Sequence, residues 1–370
     1  MSNDYEDSGI PVIRGTNMDG RYVGGDFVFV SPEKFERDLS RNIARAGDVV
    51  FTQRGTLGQV ALVPDDGYET YVVSQSQMRL RVDADRACAE FVYYAATTPQ
   101  FLRQINDRAI STGVPHTNLG ILAELEVPSL PLPDQQAIAE VLGALDDKIA
   151  ANTRLAATAD EFVRALVALS DCTDSIPLSK LFTSPRIGVD PTQIEPTTPY
   201  VGLEHVPRRS MWLSEAGIAQ DASSTKSAFE AGDLLFGKLR PYFHKVVTAP
   251  FSGICSTDIL VLRPRDADLS GFASAAAASD AVIASVTASS EGTRMPRASW
   301  RDLAAVDVPW PGHSAATRIS EEIASIRDTV HAGLAENRTL AATRDALLPK
   351  LVSGALRVKD TQSMIEEVPR

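Results

Sequence analysis

Cysteine and long apolar runs are scarce in this sequence of 370 residues. Its three cysteines, Cys88, Cys172 and Cys255, are far apart, and no CxxC or mixed Cys/His cluster occurs. A disulfide scaffold and a zinc module are therefore disfavoured, and free thiols suit a reducing compartment. The longest small apolar run, residues 272–288, is rich in serine and alanine and is interrupted by Asp280. It is too short and too polar to span a bilayer.

A signal peptide is also missing, because the first ten residues, MSNDYEDSGI, are acidic and polar. We therefore expect a soluble, cytoplasmic protein with no membrane contact. Hydrophobic residues make up 44% of the sequence and charged residues 23%, which is typical of globular domains. The length predicts two to three such domains.

The motifs that mark common enzyme classes are absent. We find no GxxxxGK[ST] loop, no convincing GxGxxG, no GxSxG and no HExxH. The nearest match to the [ND]PP[YF] tetrapeptide of amino-methyltransferases is Thr198-Pro199-Tyr200, which lacks the amide and one proline. Asp146-Asp147-Lys148 has the spacing of a nuclease DxK motif, but it falls in a predicted long helix, where we interpret it as a solvated face. The five histidines show no metal-ligand spacing. We predict a binding protein with no catalytic residues and no metal site.

The net charge of −12 argues at first sight against a nucleic-acid ligand. The acidity is uneven: residues 1–134 contain 12 Lys and Arg against 19 Asp and Glu, whereas residues 176–312 contain 13 against 14. A small basic face is therefore compatible with either half, and more so with the second. Such a protein would bind DNA weakly alone and better beside a basic partner, because affinity rises with the number of phosphates neutralised.

The chain contains an internal repeat. AANTRLAATADEFVRALV at residues 150–167 matches AENRTLAATRDALLPKLV at residues 335–352, with nine identities in eighteen positions. At the same offset of 185 residues, AGDVVF at residues 46–51 matches AGDLLF at residues 231–236. Val127-Pro128 also matches Val308-Pro309. The sequence therefore predicts a tandem duplication in which each half is a mixed domain followed by one long helix.

The long helices can be placed from their apolar rhythm. Prolines precede both, and Asp134 and Ser314 are good N-caps. The heptad spacing predicts a seam along which the two helices pair as an intramolecular coiled coil. We propose these seam and partner-docking residues: Leu142, Leu145, Ile149, Asn152, Val163, Leu166, Val330, Leu334, Asn337, Leu348 and Leu351. A seam asparagine can fix register, although each Asn could equally face solvent on a slightly rotated helix.

The intervening domains predict an α+β fold that is built twice. GDVVFTQ at residues 47–53 and GDLLFGK at residues 232–238 read as strands entered by a Gly-Asp turn, and residues 78–82 and 258–264 as corresponding strands. Residues 91–107 and 272–288 read as helices.

Polar and basic residues gather in the turns between these elements. Arg, Asn, Gln, His, Ser and Thr supply the donors and acceptors that read base edges, and Lys and Arg hold phosphates. The segment KLRPYFHK at residues 238–245 also interleaves aromatic residues with basic ones. The alternative is that these turns are polar only because most loops are. Our candidate DNA-contacting residues are Arg14, Asn17, Arg54, Thr56, Gln75, Gln77, His116 and Asn118 in the first half, and His205, Arg208, Arg209, Lys238, Arg240, Tyr242, His244, Lys245, Arg294 and Arg297 in the second.

The string PSLPLPDQQAIAEVLGALDDKIAANTRLAATADEFVRAL at residues 128–166 resembles the helical region of the specificity subunits of type I restriction–modification enzymes. LLPKLVSGAL at residues 347–356 resembles the second such region. AGDVVFTQRGTLGQVALV and GVPHTN resemble parts of the first recognition domain. The resemblance spans nearly the whole chain.

The resemblance implies a non-catalytic subunit that reads a bipartite, asymmetric DNA site. It implies target recognition domains at residues 1–134 and 176–313, spacer helices at 135–170 and 314–356 that pair antiparallel, and a polar tail at 357–370. The implied partners are double-stranded DNA, two methyltransferase subunits that bind S-adenosylmethionine, and restriction/translocase subunits in some complexes; this chain itself binds no cofactor. Because only ten residues precede PVIR, against about 22 residues before PYVG, the first domain is expected to be truncated or degenerate. A scaffold for protein partners that does not bind DNA is the alternative, and a nuclease or methyltransferase with divergent motifs is the third.

Overall fold

The computed structural model describes residues 5–110, 114–172, 174–221, 224–290 and 295–359. The chain divides into two compact units. Unit 1 comprises residues 1–148 and 339–370, and unit 2 comprises residues 149–338. Each unit is described below by itself.

Unit 1 contains two small sheets and several short helices. One sheet has the strand order β2-β1-β6-β3, in which β1 and β6 are parallel and Val12 lies opposite Val72. The other has the order β5-β4-β7 and is antiparallel, with Phe51 opposite Val60 and Met78. The strands are β1 (Ile10–Ile13), β2 (Val28–Val30), β3 (Ile43–Ala44), β4 (Val49–Thr52), β5 (Val60–Leu62), β6 (Tyr71–Val73) and β7 (Gln77–Leu80), and the helices are α1 (Pro32–Lys34), α2 (Ala89–Thr97), α3 (Pro99–Arg108) and α4 (Leu119–Ala123).

Unit 2 repeats this plan with additional strands. Its sheets have the orders β10-β13-β16-β11-β12, β15-β14-β17-β9 and β18-β8. The strands are β8 (Asp174–Pro177), β9 (Phe182–Thr183), β10 (Gly188–Val189), β11 (Pro199–Val201), β12 (Gly217–Ile218), β13 (Lys226–Phe229), β14 (Leu234–Gly237), β15 (Val246–Thr248), β16 (Gly253–Cys255), β17 (Ile259–Pro264) and β18 (Asp307–Trp310), and the shorter helices are α6 (Leu178–Leu181), α7 (Ser270–Ala277), α8 (Asp280–Ser289) and α9 (Trp300–Ala304).

The strand pairing confirms the tandem duplication. In unit 2, β11 pairs in parallel with β16, as β1 does with β6 in unit 1. Likewise β14 lies between β15 and β17, as β4 lies between β5 and β7. The fold is therefore α+β and built twice, as the repeat in the sequence predicts.

The repeated Ala-Gly-Asp motif makes the same turn in both units. Gly47 and Gly232 have φ angles of 78° and 90°, a left-handed conformation that glycine adopts without steric cost. The following aspartate caps this turn, since Asp48 accepts from the backbone N–H of Arg45 at 2.9 Å and Asp233 accepts from that of Glu230 at 2.8 Å.

Each of these aspartates is also buried against an arginine: Arg81 directly follows the neighbouring strand β7, and Arg263 lies in the neighbouring strand β17. The Arg81 guanidinium donates to both carboxylate oxygens of Asp48, at 2.8 and 2.7 Å. The Arg263 guanidinium donates to both oxygens of Asp233 at 2.9 Å. A bidentate pair satisfies the lone pairs of a buried carboxylate, so the motif ties the turn to the sheet.

Two predicted helices are each split in two. The segment predicted as helix at residues 91–107 breaks at Thr98, whose hydroxyl caps α3 by accepting from the Phe101 backbone N–H at 3.3 Å. Pro99 opens α3 because proline lacks the N–H that a first helical turn leaves unbonded. The segment predicted at residues 272–288 breaks at Ser279, which caps α8. The prediction of continuous helices was wrong because the apolar rhythm outweighed these capping signals.

The long helices are α5 (Leu132–Ala168) and α10 (His313–Val352). The predicted start at residue 135 was wrong, because Pro133 fits within the first turn and does not block it. Ser314 likewise lies inside α10. The predicted end at residue 356 was also wrong: α10 ends at Val352, and Gly354, with a φ of 74°, follows as a left-handed C-terminal residue.

The two helices pair within each unit. In the core of unit 1, Ile138 and Leu142 from the start of α5 lie in one apolar cluster with Leu348 and Leu351 from the end of α10. In the core of unit 2, Ala156, Ala159 and Val163 from α5 share a cluster with Ile323 and Val330 from α10. Later residues of α5 therefore meet earlier residues of α10, which is the antiparallel arrangement. The other predicted seam leucines, Leu145, Leu166 and Leu334, and Ile149 are half-buried.

The paired asparagines lie in the seam of unit 2. Asn152 is buried, and its amide donates to the Asn337 side-chain oxygen at 2.9 Å and to the Gly333 carbonyl at 3.1 Å. The Asn337 amide donates in turn to the Ile149 carbonyl at 3.3 Å. The seam interpretation is therefore confirmed over the solvent-facing one.

The segment Asp146-Asp147-Lys148 is only partly a solvated face. The side chain of Asp147 is 68% exposed, but that of Asp146 is 13% exposed and accepts from Arg344 at 2.7 Å and from the Tyr94 hydroxyl at 2.8 Å. Arg344 lies on α10, and half-buried Asp146 is the partner that offsets its charge. The solvated interpretation was wrong for Asp146.

Within the described residues, no single helix has both the length and the apolarity to cross a membrane, although the bent pair Ala267–Ala277 and Asp280–Ser289 passes by length and composition.

Candidate nucleic-acid interface

In unit 1, the turns that follow β1, β4 and β6 meet at one surface. The backbone N–H groups of Gln53 and Arg54 both donate to the Ser76 carbonyl, at 2.7 and 3.2 Å. The Thr117 N–H donates to the Gln53 carbonyl at 2.9 Å, which adds the segment before α4. The Gln59 amide donates to the Gly15 carbonyl at 3.1 Å. The four polar clusters predicted in this half therefore come together, and we call them the unit 1 loop surface (residues 14–17, 53–59, 74–77 and 114–118).

Several predicted residues are accessible on this surface. Arg54, Thr56 and Gln75 are exposed, and Arg14 and His116 are half-buried. The Arg14 guanidinium donates to the Asp26 carbonyl at 3.1 Å, so part of its donor capacity is already used.

Three predicted residues instead hold the turns in shape. Asn17 is 2% exposed, and its amide donates to the carbonyls of Gly24 and Asp26. Gln77 is buried and accepts from the Ser74 hydroxyl. Asn118 caps α4 by accepting from the Ile121 N–H at 2.9 Å. The burial of Asn17 and Gln77 argues against direct base contacts by these two side chains.

The sequence analysis missed two arginines beside this surface. Arg41 and Arg79 line a shallow groove of about 330 Å³ together with Gln53, Ser74 and Gln75. Neither arginine belongs to a cluster in the sequence, since Arg41 follows a helix and Arg79 lies within β7. Only the sheet brings them to this place.

In unit 2, the equivalent turns also converge. The Arg209 N–H donates to the His244 carbonyl at 2.8 Å, and the Arg240 N–H donates to the Pro296 carbonyl at 2.9 Å. The Ala298 N–H donates to the Lys238 carbonyl at 2.9 Å. The predicted clusters after β11, β14 and β16 and before α9 thus form one unit 2 loop surface (residues 203–209, 238–245, 256–258 and 295–299).

On this surface, the guanidinium groups of two arginines lie over the ring of Phe243. The Arg208 guanidinium lies 4.1 Å from the Phe243 ring centroid, and that of Arg240 lies 5.8 Å from it. The Tyr242 ring is 50% exposed and meets Phe243 edge-on at 4.9 Å between centroids. Arg240 and His244 have φ angles of 51° and 52°, a strained conformation for non-glycine residues that fixes the turn between them. Stacked guanidinium groups remain free to bind phosphates or base edges.

The two lysines of this surface already donate hydrogen bonds to backbone carbonyls of the protein. Lys238 donates to the Thr257 carbonyl at 2.6 Å, and Lys245 donates to the Leu203 carbonyl. Burial lowers the pKa of both ammonium groups, and Arg208 lowers that of Lys245 further. A phosphate placed beside them would favour the charged form again. Exposed Arg186, which the sequence analysis missed, also lowers the pKa of Lys238 and adds a cation here.

The remaining predicted residues of this half have mainly structural contacts. His244 is 2% exposed, and its Nε2 lies 2.8 Å from the Ala278 carbonyl, so burial argues against a DNA contact. The His205 Nδ1 accepts from the Gly202 N–H at 2.9 Å. Arg209 pairs with Asp280 at 2.9 Å, and Arg297 pairs with Asp258 at 3.4 Å. Arg294 lies outside the described residues.

Metal-binding chemistry has no support here, since the described part of the chain contains no group of three or more His, Cys, Asp or Glu side chains arranged to hold an ion. What the two loop surfaces offer is guanidinium, amide, hydroxyl and aromatic groups.

Comparison with known proteins gives three findings. Residues 1–159 match the family model described as type I restriction modification DNA specificity domain. A curated relative, the type I restriction enzyme MjaIX specificity subunit of Methanocaldococcus jannaschii, is 24% identical over 147 residues. That match covers 35% of this chain and 33% of the relative, so the chain spans about a third of the length of the relative it matches.

Solved structures extend the likeness to the second half. The S subunit of a type I restriction–modification system from M. genitalium aligns with a TM-score of 0.59 and 18% identity, over 90% of this chain and 89% of that one. The HsdS subunit of Thermoanaerobacter tengcongensis aligns with a TM-score of 0.37 and 17% identity, over 94% and 91%. Because the first of these covers both units, it shows the fold for the whole chain. Residues 1–159 are therefore similar to the type I restriction modification DNA specificity domain, and over 90% of its length the chain has the fold of the S subunit from M. genitalium.

Proposed function

We propose that this chain is the specificity subunit of a type I restriction–modification complex and that it reads DNA sequence without catalysing a reaction. The observation that carries the proposal is the duplicated loop surface. In both units the ends of three equivalent strands bring polar and basic turns together, and one of the surfaces presents Arg208 and Arg240 stacked on Phe243. Arginine and amide groups are the side chains that read base edges, and two such surfaces suit a bipartite site.

The recognition domains in this proposal span residues 1–134 and 176–313. We assign base and phosphate contacts to the accessible members of the predicted set, with Arg41, Arg79 and Arg186 added. Asn17, Gln77 and His244 keep a structural role because they are buried. The two reading domains each recognise half of an asymmetric double-stranded site.

The helices α5 and α10 act in this proposal as spacer and docking platform. Two methyltransferase subunits bind along them, and restriction/translocase subunits can join the complex. S-adenosylmethionine and the methyl-transfer chemistry belong to the methyltransferase subunits, and we place the complex in the cytoplasm with the DNA it surveys. The net charge of −12 fits this division, because partner subunits then neutralise many of the phosphates.

The test is the salt dependence of DNA binding by the complex with its methyltransferase subunits. Replacing both Arg208 and Arg240 with alanine should weaken binding and lower the slope of log K against log salt by about 1 for each phosphate that is no longer neutralised. Arg103→Ala is the matched control, since it removes an exposed arginine of α3 that lies outside the loop surfaces and outside both long helices.

An unchanged slope in the double variant would remove this surface from the interface. A complex that binds no DNA at any salt concentration would favour the alternative of a scaffold for protein partners.

A further inference from the structure

Three residues of the unit 2 loop surface have a backbone conformation that residues other than glycine rarely adopt. Arg209, Arg240 and His244 have φ angles of 56°, 51° and 52°, and in the described part of the chain they are the only non-glycine residues with a positive φ. This conformation costs free energy and persists only where surrounding contacts hold it. The contacts that hold these residues are therefore part of how the surface is built.

One face of α5 holds the chain segment that follows the first of these strained residues. Ala156, Asp160 and Arg164 are four residues apart along the helix, so they lie on the same face. The Ala156 carbonyl accepts from the Trp212 indole N–H at 3.0 Å, and the Asp160 carboxylate accepts from the Met211 backbone N–H at 2.8 Å.

The Arg164 guanidinium donates to three acceptors. Its Nε donates to Asp160 at 2.9 Å, its Nη1 to the Ala278 carbonyl at 3.2 Å and its Nη2 to the Arg209 carbonyl at 3.2 Å. The His244 Nε2 lies 2.8 Å from the same Ala278 carbonyl. Arg164 therefore holds one strained residue directly and shares an acceptor with a second. Asp160, whose side chain is 8% exposed, offsets its charge and fixes the plane of its donors.

The strained residues set the position of the stacked pair on the surface. Arg208 and Phe243 each immediately precede one of them in the chain, and the guanidinium lies 4.1 Å from the ring centroid. The Arg209 N–H donates to the His244 carbonyl at 2.8 Å, which fixes the distance between the two backbones. Movement of the Arg209 carbonyl away from Arg164 would therefore move the Arg208 guanidinium off the ring.

The repeat provides a comparison without this anchor. At the offset of 185 residues, Asp160 corresponds to Asp345, but Arg164 corresponds to Pro349, which has no donor. Asp345 pairs instead with the adjacent Arg344 at 2.8 Å. Among the described residues of unit 1, positive φ angles occur only at glycine. The arginine anchor and the strained residues thus occur together in unit 2 and are both missing from the described part of unit 1.

We propose that Arg164 is a positioning residue for DNA recognition by unit 2, because it holds the backbone that presents Arg208 and Phe243 to one half-site. This assignment rests on the proposed function, and it adds a residue of α5 to the recognition machinery. Arg164 makes no DNA contact in this proposal, since all three nitrogens of its guanidinium already donate within the protein.

The test measures discrimination by the complex with its methyltransferase subunits. Mapping of methylated adenines gives the site recognised by the original chain, and equilibrium binding then compares that site with two duplexes, each scrambled in one half. Arg208→Ala identifies the half-site that unit 2 reads. Arg164→Ala should lower discrimination at this half-site by about tenfold or more and leave the other half-site unchanged, because only the unit 2 surface depends on the anchor.

A conservative variant separates positioning from charge. Arg164→Lys should behave like Arg164→Ala, because an ammonium group keeps the charge but cannot hold three fixed acceptors in one plane. It also keeps a charged partner for Asp160, so it decides the question if Arg164→Ala does not fold. Lys180→Ala is the matched control, since it removes an exposed basic residue of α6 in unit 2, outside the loop surface and both long helices.

Three results would overturn the assignment. Unchanged discrimination in Arg164→Ala would show that the surface does not need the anchor, and full discrimination in Arg164→Lys would show that charge alone suffices. Equal loss at both half-sites in a folded variant would show that Arg164 supports the protein as a whole. If the original complex discriminates against neither scrambled duplex, the proposed function itself fails, which is a different result from any of these three.

Discussion

At the scale of single residues, the repeated aspartates do more than cap turns. Asp48 and Asp233 are each 2% exposed as side chains, while their arginine partners are 50% and 30% exposed. The carboxylate is therefore the desolvated member of each pair, and removing its charge takes away the bidentate acceptor of the arginine and the charged acceptor of the turn. Arg263 then keeps only its ion pair with Glu230, at 2.9 Å. Such pairs hold one geometry, whatever their net contribution to stability.

We expect Asp233→Asn to lower the free energy of unfolding by about 2 kcal/mol, and Asp48→Asn to cause a similar loss. Asparagine keeps the size of the side chain but cannot accept two charged hydrogen bonds from Arg263. Urea unfolding at pH 7 measures the effect. Asp307→Asn, at an exposed position, is the control, and equal stability of the Asp233 and Asp307 variants would contradict the assignment.

His331 should make the free energy of unfolding depend on pH under acidic conditions. It packs edge-on against Trp212, and burial, with Arg327 adding to the effect, lowers its pKa to about 4. Between pH 4 and the ordinary value of 6.5, the unfolded chain binds a proton that the folded chain does not. Unfolding is therefore favoured by proton uptake below pH 6.5, and the folded state loses stability as the pH falls toward 4.

His331→Gln should flatten the decline in stability over this window by on the order of 2 kcal/mol relative to the original chain. The comparison is between the slopes of unfolding free energy against pH, so a general change in stability cancels. His313→Gln, at an exposed position, should leave the slope as it was. An identical slope in the His331 variant would show that other groups set the acid sensitivity.

At the scale of elements, Asn152 and Asn337 occupy the position at which α5 and α10 are locked in register. We expect Asn152→Leu alone to destabilise the protein by about 1–2 kcal/mol, because it leaves the half-buried side-chain oxygen of Asn337 and the Gly333 carbonyl without the amide that donates to them. Asn337→Leu in addition should recover much of the loss. A double-mutant cycle measured by thermal unfolding gives the coupling, and additive effects would show that the two amides act independently.

The helices, strands and turns also show how much of the fold and of the candidate site could be predicted from the sequence. The repeat and the seam followed from spacing, because duplication and helix rhythm leave direct marks in a sequence. The meeting of the polar turns at one surface in each unit was not predicted, since it depends on how the strands pair. The breaks at Thr98 and Ser279 were missed because local caps compete with a continuous apolar rhythm. The burial of Asn17 and His244 could not be predicted, since the local sequence of a turn is the same whether its polar side chain faces water or a backbone carbonyl. Arg41 and Arg79 join the candidate surface only through sheet pairing.

At the scale of the whole molecule, duplication predicts modular recognition. Exchanging residues 176–312 for the same region of a relative should change one half of the recognised DNA site and leave the other half intact, because each loop surface is built within one unit. Mapping methylated adenines in a host that carries the chimera provides the measurement. Simultaneous change of both halves would contradict the assignment of one half-site to each unit.

Unit 1 is discontinuous along the chain, since it needs residues 1–148 and also residues 339–370, whereas unit 2 is the unbroken stretch 149–338. Leu348 and Leu351, which complete the core of unit 1, are synthesised after all of unit 2. During translation, unit 2 thus has all of its parts first, although it was begun second. A nascent chain halted near residue 340 would hold the core of unit 1 with an apolar flank still uncovered, so this core is completed only when Leu348 and Leu351 have been added.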